Sequence, residues 1–117
     1  MKKKYSFFKN ASYAFAGLKR ALSESAFRLE LSIAIVLVIF IICYDFSLMD
    51  RLMLFVSILL VLMAECFNTA IESVVDLATN KYHKLAKDAK DLGSAGVFFS
   101  LVIAGLTWAC ILYKEFL

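Results

Sequence analysis

The chain has 117 residues, a net charge of +3, 62% hydrophobic residues and a mean hydropathy of +0.80. So large an apolar share excludes an ordinary water-soluble domain and points to helices in a membrane. The length allows one domain, and a few short helices cannot enclose a cavity alone, which favours assembly with further copies.

The N-terminus opens on Lys2, Lys3 and Lys4 but continues into an amphipathic stretch. A short apolar core with a cleavage site does not follow, so no secretory signal peptide is expected. Residues 6–26 read as a helix lying flat in the membrane interface. Phe7, Ala11, Ala14, Phe15, Leu18 and Leu22 recur at helical spacing opposite Lys9, Ser12, Lys19, Arg20 and Ser23. Glu24 departs from that pattern, as an acid at the membrane boundary.

A first span is expected over residues 28–44. Leu31–Tyr44 is uncharged, and Arg28 and Glu30 sit at the interface. The connector Asp45–Arg51 leads to a second span over residues 50–78, forming an antiparallel hairpin. The first half of that span, Leu52–Ala64, carries no charge. Its second half, AECFNTAIESVVD, carries Glu65, Asn68, Glu72 and Asp76 at gaps of three, four and four. On a helix these groups stack along one face over about 16 Å. Carboxylates on an apolar helix are costly in lipid unless they face protein, water or a cation. The stripe therefore reads either as a site that binds metal or moves protons, or as the wet end of a helix leaving the membrane.

The segment Thr79–Gly96 reads as a polar loop whose Lys81, Lys84, Lys87 and Lys90 wrap around a helix. These lysines suit a solvated interface or anionic lipid head groups. Lys90-Asp91 ahead of Gly93-Ser94 fits phosphate and Mg²⁺ handling, with glycine allowing close backbone approach. No P-loop and no GxGxxG motif occurs. The third span is placed at residues 92–113, where Gly93–Tyr113 carries no formal charge. Ala89, Gly93, Gly96, Ser100 and Ala104 form a small-residue stripe on it, read as helix packing. Trp108 and Tyr113 suit an aromatic belt.

Eleven of the thirteen basic residues precede span one or lie between spans two and three. Only Arg51 and Lys114 fall on the other side. The positive-inside rule then places the N-terminus, the second loop and the carboxylate stripe at the cytoplasmic face. His83 is the only histidine and has no cysteine at metal-ligand spacing, which argues against zinc. Cys43, Cys66 and Cys110 lie in or beside apolar segments and read as packing residues, not a disulfide framework. From the residues alone, the chain is an all-α membrane protein with an acidic site and basic neighbours. Such a site suits a Mg²⁺–nucleotide complex meeting a lipid, or a cation or proton path.

AECFNTAIESVVD followed by YHKLAKDAKDLGSAG, with SESAFRLE ahead of span one, resembles the signature of the small prokaryotic diacylglycerol kinases, which also include undecaprenol kinases. The resemblance covers nearly the whole chain. It implies an integral homotrimer of the bacterial inner membrane, with a surface helix and three spans per subunit. It also implies Mg²⁺-dependent transfer of the γ-phosphoryl of ATP to a lipid hydroxyl, within phospholipid biosynthesis, and no role for nucleic acid.

Carried over by that resemblance, Glu65 is the general base and Asn68 positions it, while Glu24 and Glu72 hold Mg²⁺ against the nucleotide. Tyr13, Lys81, Tyr82, His83, Lys90 and Asp91 fall to nucleotide contact, together with Glu24 and Glu72. Phe27, Arg28, Glu30 and Ser94, with Glu65, border the lipid substrate. Two departures stand out. GLKRALSE is one residue shorter than the commoner spacing, which loosens the register of Tyr13, and Ser6 stands where some members carry arginine, so that one nucleotide contact is either missing or replaced by Lys9. Diacylglycerol is the expected lipid, with undecaprenol the alternative. A small cation- or proton-coupled transporter using Glu65 and Glu72 is a reading of a different class.

Overall fold

The computed structural model describes residues 6–117 as four helices. They are α1 (Phe7–Ala21), α2 (Ser25–Cys43), α3 (Leu48–Ala78) and α4 (Lys84–Phe116). The lysines at positions 2–4 lie outside the described residues. α2, α3 and α4 are each long and apolar enough to cross a membrane, with mean hydropathies of 2.5, 2.1 and 2.2 over their most apolar stretches. The chain is thus an integral membrane protein by length and composition.

Helix ends follow local chemistry and shift several expected boundaries. Ser6 accepts a hydrogen bond from the Lys9 amide and starts α1. α1 ends at Ala21 instead of running on to 26, because the Ser23 hydroxyl takes the Arg20 carbonyl and turns the chain at Leu22–Glu24. The surface helix and span one are therefore separated by a turn that Glu24 closes as the N-cap of α2. Ser47 caps α3 by accepting from the Asp50 amide, so α3 begins at Leu48 within the expected connector. The polar loop is much shorter than expected. His83 Nδ1 accepts from the Leu85 amide, and α4 runs unbroken from Lys84. The four-lysine segment is mostly a helical extension of span three.

α3 is the central element and packs on both α2 and α4. The core lies toward the end remote from the acidic stripe. Ala34 and Ile41 of α2, Phe46 of the connector, Leu54 and Ile58 of α3, and Ile111 of α4 form it. Phe40, Tyr44 and Phe46 stack together beside it, with Trp108 against Phe40 and Phe116 against Tyr44. Trp108 thus departs from the expected aromatic belt. Its indole N–H donates to Ser57 Oγ at 3.1 Å, and the Ser57 hydroxyl donates to the Leu54 carbonyl at 2.7 Å.

The two basic residues at this end are both spoken for. Arg51 donates to the carbonyls of Ile41 and Tyr44, which the end of α2 leaves without helical partners. Lys114 pairs with the buried Asp50, tying α4 to α3.

The small-residue stripe of α4 divides. Gly93 and Ser100 are buried, whereas Gly96 faces open space. Only 17%, 17% and 11% of the most apolar stretches of α2, α3 and α4 are buried within the chain. Leu29, Ile33, Val36, Ile39 and Leu59 are among the many large apolar side chains left outward. Such a surface suits lipid or other protein, not water.

Ser57→Ala should leave the Trp108 N–H without its acceptor and destabilise the folded chain by about 0.5–1.5 kcal/mol. Trp108→Phe should cost less in the Ser57→Ala background than in the unmodified chain, as read from unfolding of the detergent-solubilised protein. Fully additive losses would show that the hydrogen bond does not couple the helices.

Candidate active site

The acidic half of α3 meets α2 and α4 where α2 begins and α4 enters its span. Glu65 of α3 and Glu30 of α2 are neighbours, close enough to interact electrostatically. Both side chains are partly buried, and Glu30 Oε2 is buried with no hydrogen-bond partner among the described residues. One turn further along α3, the Asn68 amide donates to Glu72 Oε1 at 2.9 Å. That bond fixes the amide orientation and turns Asn68 Oδ1 away from Glu72. Oδ1 is likewise buried without a partner among the described residues. A turn beyond, Asp76 accepts from Lys90 Nζ of α4 at 2.7 Å. The Asp76 hydrogen bond raises the pKa of the Lys90 ammonium, so it keeps its charge through neutral pH.

Two cavities of opposite character flank this stripe. A groove of about 320 Å³ between α2, α3 and α4 is lined by Ile33, Leu37, Ile58, Leu62, Leu101 and Trp108, with Glu30 its only ionisable residue. It suits a hydrocarbon chain with a polar head at Glu30. A polar cavity of about 300 Å³ lies where α3 passes into α4, among Asp76, Lys81, Tyr82, His83, Lys90 and Asp91. Five of the eight expected nucleotide contacts meet there. Within it, His83 uses Nδ1 to cap α4, and Asp91 is paired with Lys87 at 2.5 Å.

Other expected residues stand apart. Glu24 sits in the α1–α2 turn and accepts from Arg20 at 2.8 Å. Among the described residues, no three His, Cys, Asp or Glu side chains come together as a metal site, so Glu24 and Glu72 form no cluster of that kind within one chain. Tyr13 is exposed on α1 and lines neither cavity. Phe27 is buried, and packs with Leu18, Leu22, Leu31, Leu59 and Met63 around a further apolar cavity between α1, α2 and α3. Arg28 donates to the Leu22 carbonyl and braces the turn, and Ser94 is exposed.

Sequence reasoning placed Glu30 only loosely, at the lipid border, and gave Asp76 no partner. The available signal for Glu30 was an acid at the head of an uncharged run, which in a membrane demands a neighbour. Its partner could not be read because the register between α2 and α3 is a tertiary property.

The sequence profile of the prokaryotic diacylglycerol kinase family matches residues 12–112. The chain is 40% identical over 110 residues to a diacylglycerol kinase of Escherichia coli K12, covering 92% of this chain and 89% of that protein. It is 39% identical over 101 residues to one from Pseudomonas aeruginosa, covering 86% and 82%, and 37% identical over 105 residues to one from Haemophilus influenzae, covering 89% of each. With matches of this extent, and an acidic stripe set between an apolar groove and a lysine-rich cavity on three apolar helices, the chain belongs to the prokaryotic diacylglycerol kinase family.

Proposed function

We propose that this enzyme transfers the γ-phosphoryl group of ATP to the free hydroxyl of diacylglycerol, giving phosphatidic acid at the cytoplasmic face of the bacterial inner membrane. The observation that carries the reading is the Glu30–Glu65 contact at the head of the apolar groove, one turn from Asn68–Glu72. A lipid whose chain occupies the groove presents its hydroxyl to that acid pair. The polar cavity lies further along the same face of α3 and offers Lys81, Lys90 and His83 to a triphosphate. The cytoplasmic assignment rests on the sequence, in which eleven of the thirteen basic residues precede span one or lie between spans two and three.

In the proposed reaction, Glu65 accepts the proton of the lipid hydroxyl. The oxygen forms a bond to the γ-phosphorus, and the bond from that phosphorus to the bridging oxygen breaks, releasing ADP. Glu30 holds the Glu65 carboxyl in place and excludes water from its apolar side. Asn68 orients Glu72 through its amide. Lys90, held by Asp76, brings a fixed positive charge toward the phosphates. Phosphoryl transfer requires mainly such positioning and charge neutralisation.

The donor set fits Mg²⁺, which takes hard oxygen ligands and is commonly held by one or two carboxylates plus substrate phosphates. Glu72, an exposed carboxylate beside an orphaned amide oxygen, would hold it together with Glu24. When bound, the ion supplies neutralisation of phosphate charge. A homotrimer would cover apolar surface that a single chain leaves outward, and would let Glu24 of one copy serve Glu72 of another.

Purified protein in detergent, supplied with ATP and either diacylglycerol or undecaprenol, tests the reading. Phosphatidic acid should form faster than undecaprenyl phosphate. The reverse preference would reassign the lipid, and no ATP-dependent lipid labelling would favour a transporter.

Glu65→Gln should lower kcat about 10²- to 10⁴-fold while leaving nucleotide affinity within about twofold. Normal turnover with lost nucleotide binding would reject Glu65 as the base. Glu72→Gln should raise the Mg²⁺ concentration for half-maximal activity about tenfold or more. An unchanged magnesium dependence would remove Glu72 from the metal site.

A further inference from the structure

Gly93 lies on the face of α4 that packs against the acidic stripe of α3, and it is buried. A Cβ built there would collide with Asn68 Oδ1 and crowd Asn68 Cγ at 3.4 Å and Ile71 Cδ1 at 3.5 Å. The close approach that the sequence pattern reserved for a phosphate is thus taken by a side chain. The glycine hydrogen standing in place of that Cβ points at Asn68 Oδ1, an acceptor that has no conventional donor among the described residues. On its other side the same amide donates to Glu72 Oε1 at 2.9 Å. Two contacts therefore run in series: the α4 backbone at Gly93 seats Asn68, and Asn68 seats Glu72. The Lys90–Asp76 pair, one turn nearer the start of α4, holds the two helices at the separation this requires.

We propose that Gly93 is a positioning residue for the metal–nucleotide site, acting through Asn68 on Glu72. The inference rests on the assignment of Glu72 to Mg²⁺ and the nucleotide made above. Backbone freedom is not the reason for the glycine, because every described residue keeps an ordinary negative φ. Alanine favours a helix over glycine, so Gly93→Ala should leave α4 intact and act by displacing Asn68. Gly96 provides a matched comparison on the same helix, since a Cβ there meets nothing within 4 Å.

The test is equilibrium binding of a non-hydrolysable ATP analogue with Mg²⁺ to the purified full-length protein in detergent. The variants are Gly93→Ala, Gly96→Ala, Asn68→Gly, and Gly93→Ala combined with Asn68→Gly. Gly93→Ala should weaken binding about tenfold, as losses of groups that orient metal ligands do. Gly96→Ala should bind as the unmodified chain does. In the Asn68→Gly background, where the collision partner is gone, adding Gly93→Ala should change affinity by less than about twofold.

Unchanged affinity in Gly93→Ala, an equal loss in Gly96→Ala, or the same further loss with and without the Asn68 side chain would each overturn the proposal. Should Gly93→Ala misfold, recovery of folding and helix content by Asn68→Gly would support the contact, and continued misfolding would count against it. If the unmodified chain bound no Mg²⁺–nucleotide, the functional reading would fail and this inference with it. Binding by the unmodified chain with Gly93→Ala unaffected would remove this inference alone.

Discussion

Two carboxyl groups from neighbouring apolar helices, Glu30 on α2 and Glu65 on α3, are held against each other. In a low-dielectric setting, bringing like charges together is unfavourable unless a proton or a cation joins them. A chain that keeps such a contact has to hold both helices firmly enough to oppose the repulsion. The packing that holds them lies elsewhere. The core of Ile41, Phe46, Leu54, Ile58 and Ile111 and the aromatic cluster around Phe40 lie at the opposite end of the helices. Arg51 on the carbonyls of α2, Lys114 on Asp50, and Trp108 on Ser57 fasten the three spans there. The acidic end is left with few buried apolar residues and with several cavities. One end is built for rigidity and the other for occupancy.

The same division accounts for the exceptions in the charge pattern. Among the described residues, the positive ones gather at the acidic end, and the two that do not are both bound internally. Arg51 donates to carbonyls at the end of α2, and Lys114 offsets a buried aspartate. At the acidic end, by contrast, several lysines lie on exposed helix and connector, where they pair locally with Asp88 and Asp91 or reach across to Asp76. Exposed pairs of this kind contribute little to stability. On the proposed reading, their cations are available to a phosphate chain.

Much of this was legible in the residues. An uncharged run of sufficient length is a span whatever its neighbours, so the three long helices and the polar face of α3 followed from composition and period. Helix ends were less legible, because each turned on one side-chain bond: Ser23 stopping α1, Ser47 starting α3, His83 starting α4. Capping is a local choice among several polar residues of equal promise. Least legible were contacts between helices. Nothing in the α2 sequence says that Glu30 faces Glu65, nor in α4 that Gly93 faces Asn68 while Gly96 faces outward, since both depend on rotation and register set by packing elsewhere. Trp108 illustrates the cost of a statistical rule: an aromatic near a span end reads as a belt residue until Ser57 is seen to accept its N–H.

The account turns on the claim that the Glu30–Glu65 contact is where the lipid hydroxyl is received. The most direct test is the turnover of Glu30→Gln with diacylglycerol, measured beside its affinity for Mg²⁺–nucleotide. The account predicts a fall in kcat of about 10²-fold, as for a misplaced reacting group, with nucleotide affinity unchanged. Turnover equal to that of the unmodified enzyme would contradict it.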